Sequence, residues 1–183
     1  SGAAEWAYIG VNSSGAVKLL GNNTADTTDT SGNVNRKNIY WNDGSNYWFV
    51  VGAVHVSTSN QVSYTMRGVG RKVGIKDGNP IVLSSGTATT YTSVSLSGAV
   101  PANAELVYLL SSHVIDGDGG YSLHWISSDS DGVFAKEMEF NTAGLTHSEI
   151  PFKHILPLVE SQTFYYKVNS GTTMHMKVYG WEY

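Results

Sequence analysis

Alternation of apolar and polar side chains, two residues per period, is the feature that most constrains this chain. Within the C-terminal residues 164–183, Met174, Met176 and Val178 fall on one face of an extended strand. The opposite face receives His175, Lys177, Tyr179, Trp181 and Tyr183. Residues 164–168 form a similar run before an Asn-Ser-Gly turn, so the pattern predicts a terminal hairpin.

Runs of this kind recur along the chain between clusters of Gly, Asn, Asp and Pro. They predict roughly ten to thirteen short strands in an all-β fold, an antiparallel β-sandwich or jelly-roll-like knob. Residues 47–56, the longest apolar run, are expected to form a central strand covered on both faces. Residues 133–140 have helix-favouring composition but suit a strand nearly as well. The polar residues 22–35 are predicted to form a long exposed loop.

Length and composition limit which classes of protein this chain can belong to. A chain of 183 residues fits a single domain, 1–183. Only 14% of the residues are charged and the net charge is −4, so we expect no nucleic-acid partner. There is no cysteine and no apolar run of about 18 residues, so neither disulfides nor membrane insertion is expected. Ser1-Gly2 looks like a remnant of cloning, which suggests the C-terminal part of a longer protein.

The sequence contains only weak signals for metal-binding sites. Two acidic turns, 116–119 and 129–132, resemble calcium loops. Their candidate ligands are Asp116, Asp118, Asp129 and Asp131. With Gly132 as the loop glycine, however, the twelfth position is Met138 where a glutamate is needed. The six histidines show neither His-x-x-x-His nor His-x-His spacing, although one histidine per chain could still join a site shared between copies. No cofactor is expected.

Catalytic signatures are missing from the sequence. It contains neither Gly-x-Ser-x-Gly nor a phosphate-binding loop. Glu137 and Glu139 would share a strand face, as any solvated pair would. We therefore expect a protein that is not an enzyme.

Aromatic residues give the best candidates for a binding site. Most of the five Trp and eleven Tyr are expected to pack in the core. Some lie beside turns and polar residues, where ring faces and amide or carboxylate acceptors together suit sugars. The predicted receptor or glycan site consists of Tyr40, Trp41, Asn42, Asp43, Tyr47, Asp118 and Tyr121.

A resemblance to a family rests on three segments. They are Tyr165-Tyr166-Lys167-Val168-Asn169-Ser170-Gly171 with the alternation into Val178-Tyr179-Gly180-Trp181-Glu182-Tyr183, Asn42-Asp43-Gly44 with the strand after it, and Val100-Pro101-Ala102-Asn103-Ala104. These segments resemble the tail-fibre and tail-needle tip proteins of tailed bacteriophages. The resemblance implies a trimeric β knob on the virion that meets the host surface. The His-x-His iron sites of many spike tips have no counterpart here.

In the predicted trimer, the terminal strand would form the contact between copies. Its ring-bearing face would bury against a neighbouring copy, so the predicted oligomer interface consists of His175, Tyr179, Trp181 and Tyr183. A homotrimer would also repeat a weak sugar site three times and raise avidity.

Three functions follow in order of preference. The first is a viral structural protein, a tail-fibre or appendage tip that attaches to a host cell-surface glycan or protein. The second is a non-catalytic carbohydrate-binding module or lectin of a secreted bacterial protein. The third is an enzyme that degrades surface polysaccharide.

Overall fold

The computed structural model describes residues 5–20, 40–42, 47–56, 66–69, 71–76, 78–116, 121–141 and 147–183. These residues form fourteen β-strands and no helix. Every strand pairing among them is antiparallel. The predicted all-β antiparallel fold is confirmed. The part of the chain that the structure describes contains no helix able to cross a membrane.

Sheet 1 belongs to the first of two compact units, Ser1–Thr65 with Pro101–Asn103. It contains β1 (Glu5–Asn12), β2 (Val17–Leu20), β3 (Tyr40–Asn42) and β4 (Tyr47–Val56), in the order β2-β1-β4-β3. The bounds of β4 are those expected from the apolar run. The predicted exposed loop 22–35 lies outside the described residues.

The expectation that β4 is covered on both faces is wrong. Trp48, Ala53 and His55 are buried, whereas Tyr47 and Val51 are 71% and 51% exposed. Aromatic and β-branched residues are favoured in strands whether or not their face is covered. An unbroken apolar run therefore does not require burial on both sides.

The second unit, Met66–Val100 with Ala104–Tyr183, contains two sheets. Sheet 2 consists of β8 (Thr92–Ser95), β10 (Tyr121–Ser127), β11 (Lys136–Asn141) and β13 (Thr163–Val168), in the order β11-β10-β13-β8. Sheet 3 consists of β5 (Met66–Val69), β6 (Lys72–Ile75), β7 (Ile81–Gly86), β9 (Leu106–Asp116), β12 (His147–Pro157) and β14 (Thr172–Glu182). Its order is β12-β9-β14-β6-β5, and β7 also pairs with β14.

Sheets 2 and 3 pack face to face as a β-sandwich. Ile126 and Phe164 of sheet 2 and Met176 of sheet 3 have no exposed surface. Between the sheets, the Oγ of Ser122 lies 2.9 Å from the Oγ1 of Thr172. Alternate side chains of both sheets thus form one core. The single domain 1–183 and the trimer stay predictions.

The predicted terminal hairpin is wrong. Strand β13 pairs with β10 and β8, and β14 pairs with β9, β6 and β7, so the two strands lie in different sheets. Asn169 at the turn bonds to β10, because its Oδ1 accepts a 2.8 Å hydrogen bond from the Leu123 N–H. Gly171 follows with φ of 83°. The chain therefore crosses from one layer of the sandwich to the other.

The predicted face of Trp181 is also wrong. Met174, Met176 and Val178 are buried as expected. Next, Val178 pairs with Leu109 and Gly180 pairs with Tyr108, so Tyr179 is an extra residue in β14. This β-bulge shifts the alternation by one residue and turns Trp181 into the core, where it is 0% exposed.

Candidate functional site

A surface depression among the described residues lies on sheet 1. It has a volume of about 410 Å³. We call it the Tyr47 face, and it is lined by Val11, Asn12, Ser13, Tyr47, Phe49 and Val51. Tyr47, Phe49 and Val51 are 71%, 41% and 51% exposed. Large apolar side chains exposed next to one another make this surface a candidate binding site.

Strand register brings these residues together. Val11 of β1 is paired with Phe49 of β4, and paired residues point to the same side of a sheet. A register shift places Val51 as an extra residue between the paired Val50 and Gly52. Because of this bulge, the buried side chains lie at an even-numbered position before it, Trp48, and at odd-numbered positions after it, Ala53 and His55.

Polar groups form one edge of the Tyr47 face. The Oδ1 of Asn12 accepts hydrogen bonds from the Ser14 N–H at 3.1 Å, the Ser14 hydroxyl at 2.7 Å and the Ala16 N–H at 2.9 Å. Gly15 in the same turn has φ of 80°, which favours glycine. The turn thus fixes the side chain of Asn12 at the edge of the depression. Ser13 adds an exposed hydroxyl.

The other side of sheet 1 supports this face with packed rings. Trp6 and His55 meet edge to face, with ring centroids 5.1 Å apart. Burial lowers the pKa of His55 below its ordinary value, because desolvation disfavours the charged ring. Lys18 lies 5.3 Å above the ring of the buried Trp48. The phenol of Tyr8 accepts a 3.1 Å hydrogen bond from the Ala102 N–H. These contacts pack the side of sheet 1 opposite Tyr47 and Phe49.

The described lining residues of the Tyr47 face carry groups suited to holding a ligand. Its six lining residues offer two aromatic rings, two valines, an amide and a hydroxyl. None of the six is an Asp, Glu, His or Lys that could transfer a proton at neutral pH. The face can hold a flat, partly apolar ligand that also carries hydroxyl groups.

The predicted glycan residues divide between the two units. Tyr40, Trp41 and Asn42 form β3, which pairs with β4 so that Asn42 is opposite Tyr47. Tyr121 begins β10 in the second unit. Asp43 and Asp118 lie outside the described residues. Among the described residues that line the depression, only Tyr47 was predicted.

Sequence reasoning missed the remaining five lining residues. Phe49 and Val51 follow Tyr47 at a spacing of two, so alternation placed them on the same side as Tyr47. This spacing could have predicted a shared exposed face, but the expectation that β4 is covered on both faces led away from it. Val11, Asn12 and Ser13 gave no comparable signal, because only the β1–β4 register brings them beside Tyr47.

The second acidic turn is organised around Asp129. Its carboxylate accepts hydrogen bonds from the N–H groups of Asp131, Val133 and Phe134 and from the Ser127 hydroxyl, at 3.0–3.3 Å. Partial desolvation would raise the pKa of Asp129, but these hydrogen bonds hold it below its ordinary value. The carboxylate therefore stabilises the turn, and its oxygens are already engaged.

The other calcium candidates add no site in the described structure. Asp116 ends β9, and Asp118 lies outside the described residues. No three His, Asp or Glu side chains within the described ranges are grouped so that they could hold a metal ion. Gly132 closes the turn with φ of 74°, and the ring of Tyr91 occupies the space where a side chain would begin.

The predicted interface residues have partners within the chain. The Nδ1 of His175 accepts a 3.3 Å hydrogen bond from the Ser85 N–H. Tyr179 stacks on Tyr108 with ring centroids 5.7 Å apart. His175, Tyr179 and Tyr183 keep partly exposed surface. Trp181 has none, so its assignment to an interface between copies is wrong.

Comparison with known proteins gives no assignment. No family model matches the chain, and no curated protein matches it either.

Proposed function

We propose that this chain is a non-catalytic glycan-binding module that attaches a bacteriophage tail appendage to a host cell surface. The observation that carries the proposal is the exposed ring pair Tyr47 and Phe49 beside Asn12 and Ser13 in one depression. The viral setting and the assembly of three copies rest on the resemblance of the sequence to tail-fibre and needle tips.

Sugars fit the chemistry of this surface. A pyranose has an apolar C–H face that packs on an aromatic ring, and hydroxyl groups at its rim that bond to amides and hydroxyls. A depression of about 410 Å³ lies within the usual range of roughly 300–1,000 Å³ for small-ligand sites. Because it is shallow and open, one site would bind weakly, and repetition in an oligomer would supply avidity.

The second candidate is a carbohydrate-binding module or lectin of a secreted bacterial protein. It would use the same Tyr47 face, and a monomeric chain in solution would favour it. The polysaccharide-degrading enzyme needs a pair of carboxyl groups at the sugar. Such a pair is not among the residues that line this depression.

The test is a glycan array, followed by calorimetric titration of the full chain with the soluble oligosaccharide that binds best. We expect Tyr47→Ala to weaken binding at least about tenfold, as removal of a central aromatic contact does. Tyr47→Phe, which keeps the ring, should retain most of the affinity. Val159→Ala removes a side chain in the second unit that is 50% exposed and serves as the control. Full affinity in Tyr47→Ala, or no glycan bound at millimolar concentration, would overturn the proposal.

A further inference from the structure

The described side chains on the two outer faces of the β-sandwich differ in charge. Outer positions are identified by alternation, since Leu109, His154 and Val178 on sheet 3 and His124 and Ile126 on sheet 2 are buried between the sheets. The residues next to them along each strand therefore point outward. These outward residues form two surfaces that we call the lysine face and the glutamate face.

The lysine face covers the outer side of sheet 3. Leu110 pairs with Lys153 on one side and with Lys177 on the other, and Lys177 pairs with Ile81. These four residues form one row across four strands. Both lysines are exposed, and Ile81 is 63% exposed. In the next row, Ile155 is 50% exposed and pairs with Tyr108.

On the lysine face, Lys153 and Tyr179 lie next to each other. The Nζ of Lys153 lies 5.8 Å from the centre of the Tyr179 ring, within reach of a cation–π contact. Tyr179 in turn stacks on Tyr108, whose hydroxyl donates a 2.9 Å hydrogen bond to Glu182. Glu182 therefore lies at the end of the face, while the two lysines remain exposed at its centre.

The glutamate face covers the outer side of sheet 2. Glu137 and Glu139 are exposed on the edge strand β11, paired with Trp125 and Leu123 of β10. The indole N–H of Trp125 donates a 2.6 Å hydrogen bond to Glu137. Lys167, a cation, also lies on this face, 4.4 Å from the Trp125 ring.

Exposed apolar side chains accompany the glutamates as well. Just before β11 begins, Val133 and Phe134 are 75% and 59% exposed. Both faces thus combine charges with large exposed apolar side chains. Charged residues on an edge strand also prevent unwanted strand pairing, but that role does not require the apolar residues or the lysines of the other sheet.

We propose that copies of this chain associate head to tail, with the lysine face of one copy against the glutamate face of the next. Pairing two lysine faces, or two glutamate faces, would bring like charges together. Contact between opposite faces brings opposite charges and apolar residues together. Such a heterologous contact forms a ring when the rotation closes, and the proposed trimer is a ring of three. The inference rests on the proposed assembly of copies and is independent of glycan binding.

The test uses two variants of the full chain, each altered on one face. Lys153→Glu with Lys177→Glu reverses the lysine face, and Glu139→Lys alters the glutamate face while leaving Glu137 bonded to Trp125. We expect the unaltered chain to sediment as an oligomer at micromolar concentration and each variant to sediment as a monomer. Lys153→Arg with Lys177→Arg keeps the charge and should keep the oligomer.

Mixing the two variants gives the decisive result. Each retains the face that the other has lost, and the two altered faces again carry opposite charges, so an equimolar mixture should regain association as mixed oligomers that contain both variants. A monomeric unaltered chain, an unchanged mass in either variant, or a mixture that stays monomeric would overturn the proposal. Thermal melting of each variant verifies its fold. Titration of the same variants with a soluble oligosaccharide tests the Tyr47 face separately, since that measurement does not depend on association.

Discussion

His124 of β10 and His154 of β12 meet edge to face between the two sheets of the sandwich, with ring centroids 5.9 Å apart and planes at 83°. Both side chains are buried, at 0% and 4% exposure. The Nε2 of His154 lies 2.8 Å from the Oγ of Ser111, which is also buried. The core of the sandwich therefore contains a polar group of side chains, which is stable only while its hydrogen bonds are formed.

Ser111→Ala should destabilise the chain, because the buried Nε2 of His154 loses its hydroxyl partner. We expect a loss of about 1–3 kcal/mol in the free energy of unfolding, measured by urea denaturation. Ser112→Ala is the matched control, since Ser112 is the next residue of β9 and lies on the outer side of sheet 3. Equal effects of the two substitutions would contradict the assigned role of the Ser111 hydroxyl.

Trp181→Ala should impair folding before it affects any association of copies. The side chain is 0% exposed, and removing a buried Trp costs about 3–5 kcal/mol. Tyr179→Ala, at the neighbouring bulge position on the outer side, should cost much less. Thermal melting, with mass by light scattering on the folded protein, separates the two effects. A Trp181→Ala chain with an unchanged melting temperature would show that the bulge does not bury this ring.

His55 should make the first unit sensitive to acid. Burial lowers the pKa of this ring in the folded chain, so below its ordinary value of 6.5 the unfolded chain binds more protons than the folded chain. The contribution of His55 to stability is therefore complete above pH 6.5 and is lost as the pH falls below 6.5 toward the lowered pKa of the folded chain. Urea midpoints at pH 7 and pH 5 measure this loss.

The matched variant is His55→Gln, which keeps a polar side chain without the titration. We expect a smaller difference between its midpoints at the two pH values. If the difference equals that of the unaltered chain, other histidines account for the acid sensitivity.

The sequence by itself determined the fold class and several strands. Alternation identified the buried row Met174, Met176 and Val178, and the apolar run identified β4 with its bounds. These signals are local, because side-chain period and β-propensity act within a few residues. For the binding surface, the same reasoning selected Tyr47, which follows a turn signal and begins an apolar run.

Tertiary structure alone decided which strands pair and where bulges fall. The bulge at Tyr179 turned Trp181 into the core, and β13 and β14 joined different sheets despite the short turn between them. Val11 and Asn12 reached the Tyr47 face only through the register of β1 on β4. Pairing and register depend on contacts between residues far apart in the chain, and a shift of one residue moves a side chain to the other face of a sheet.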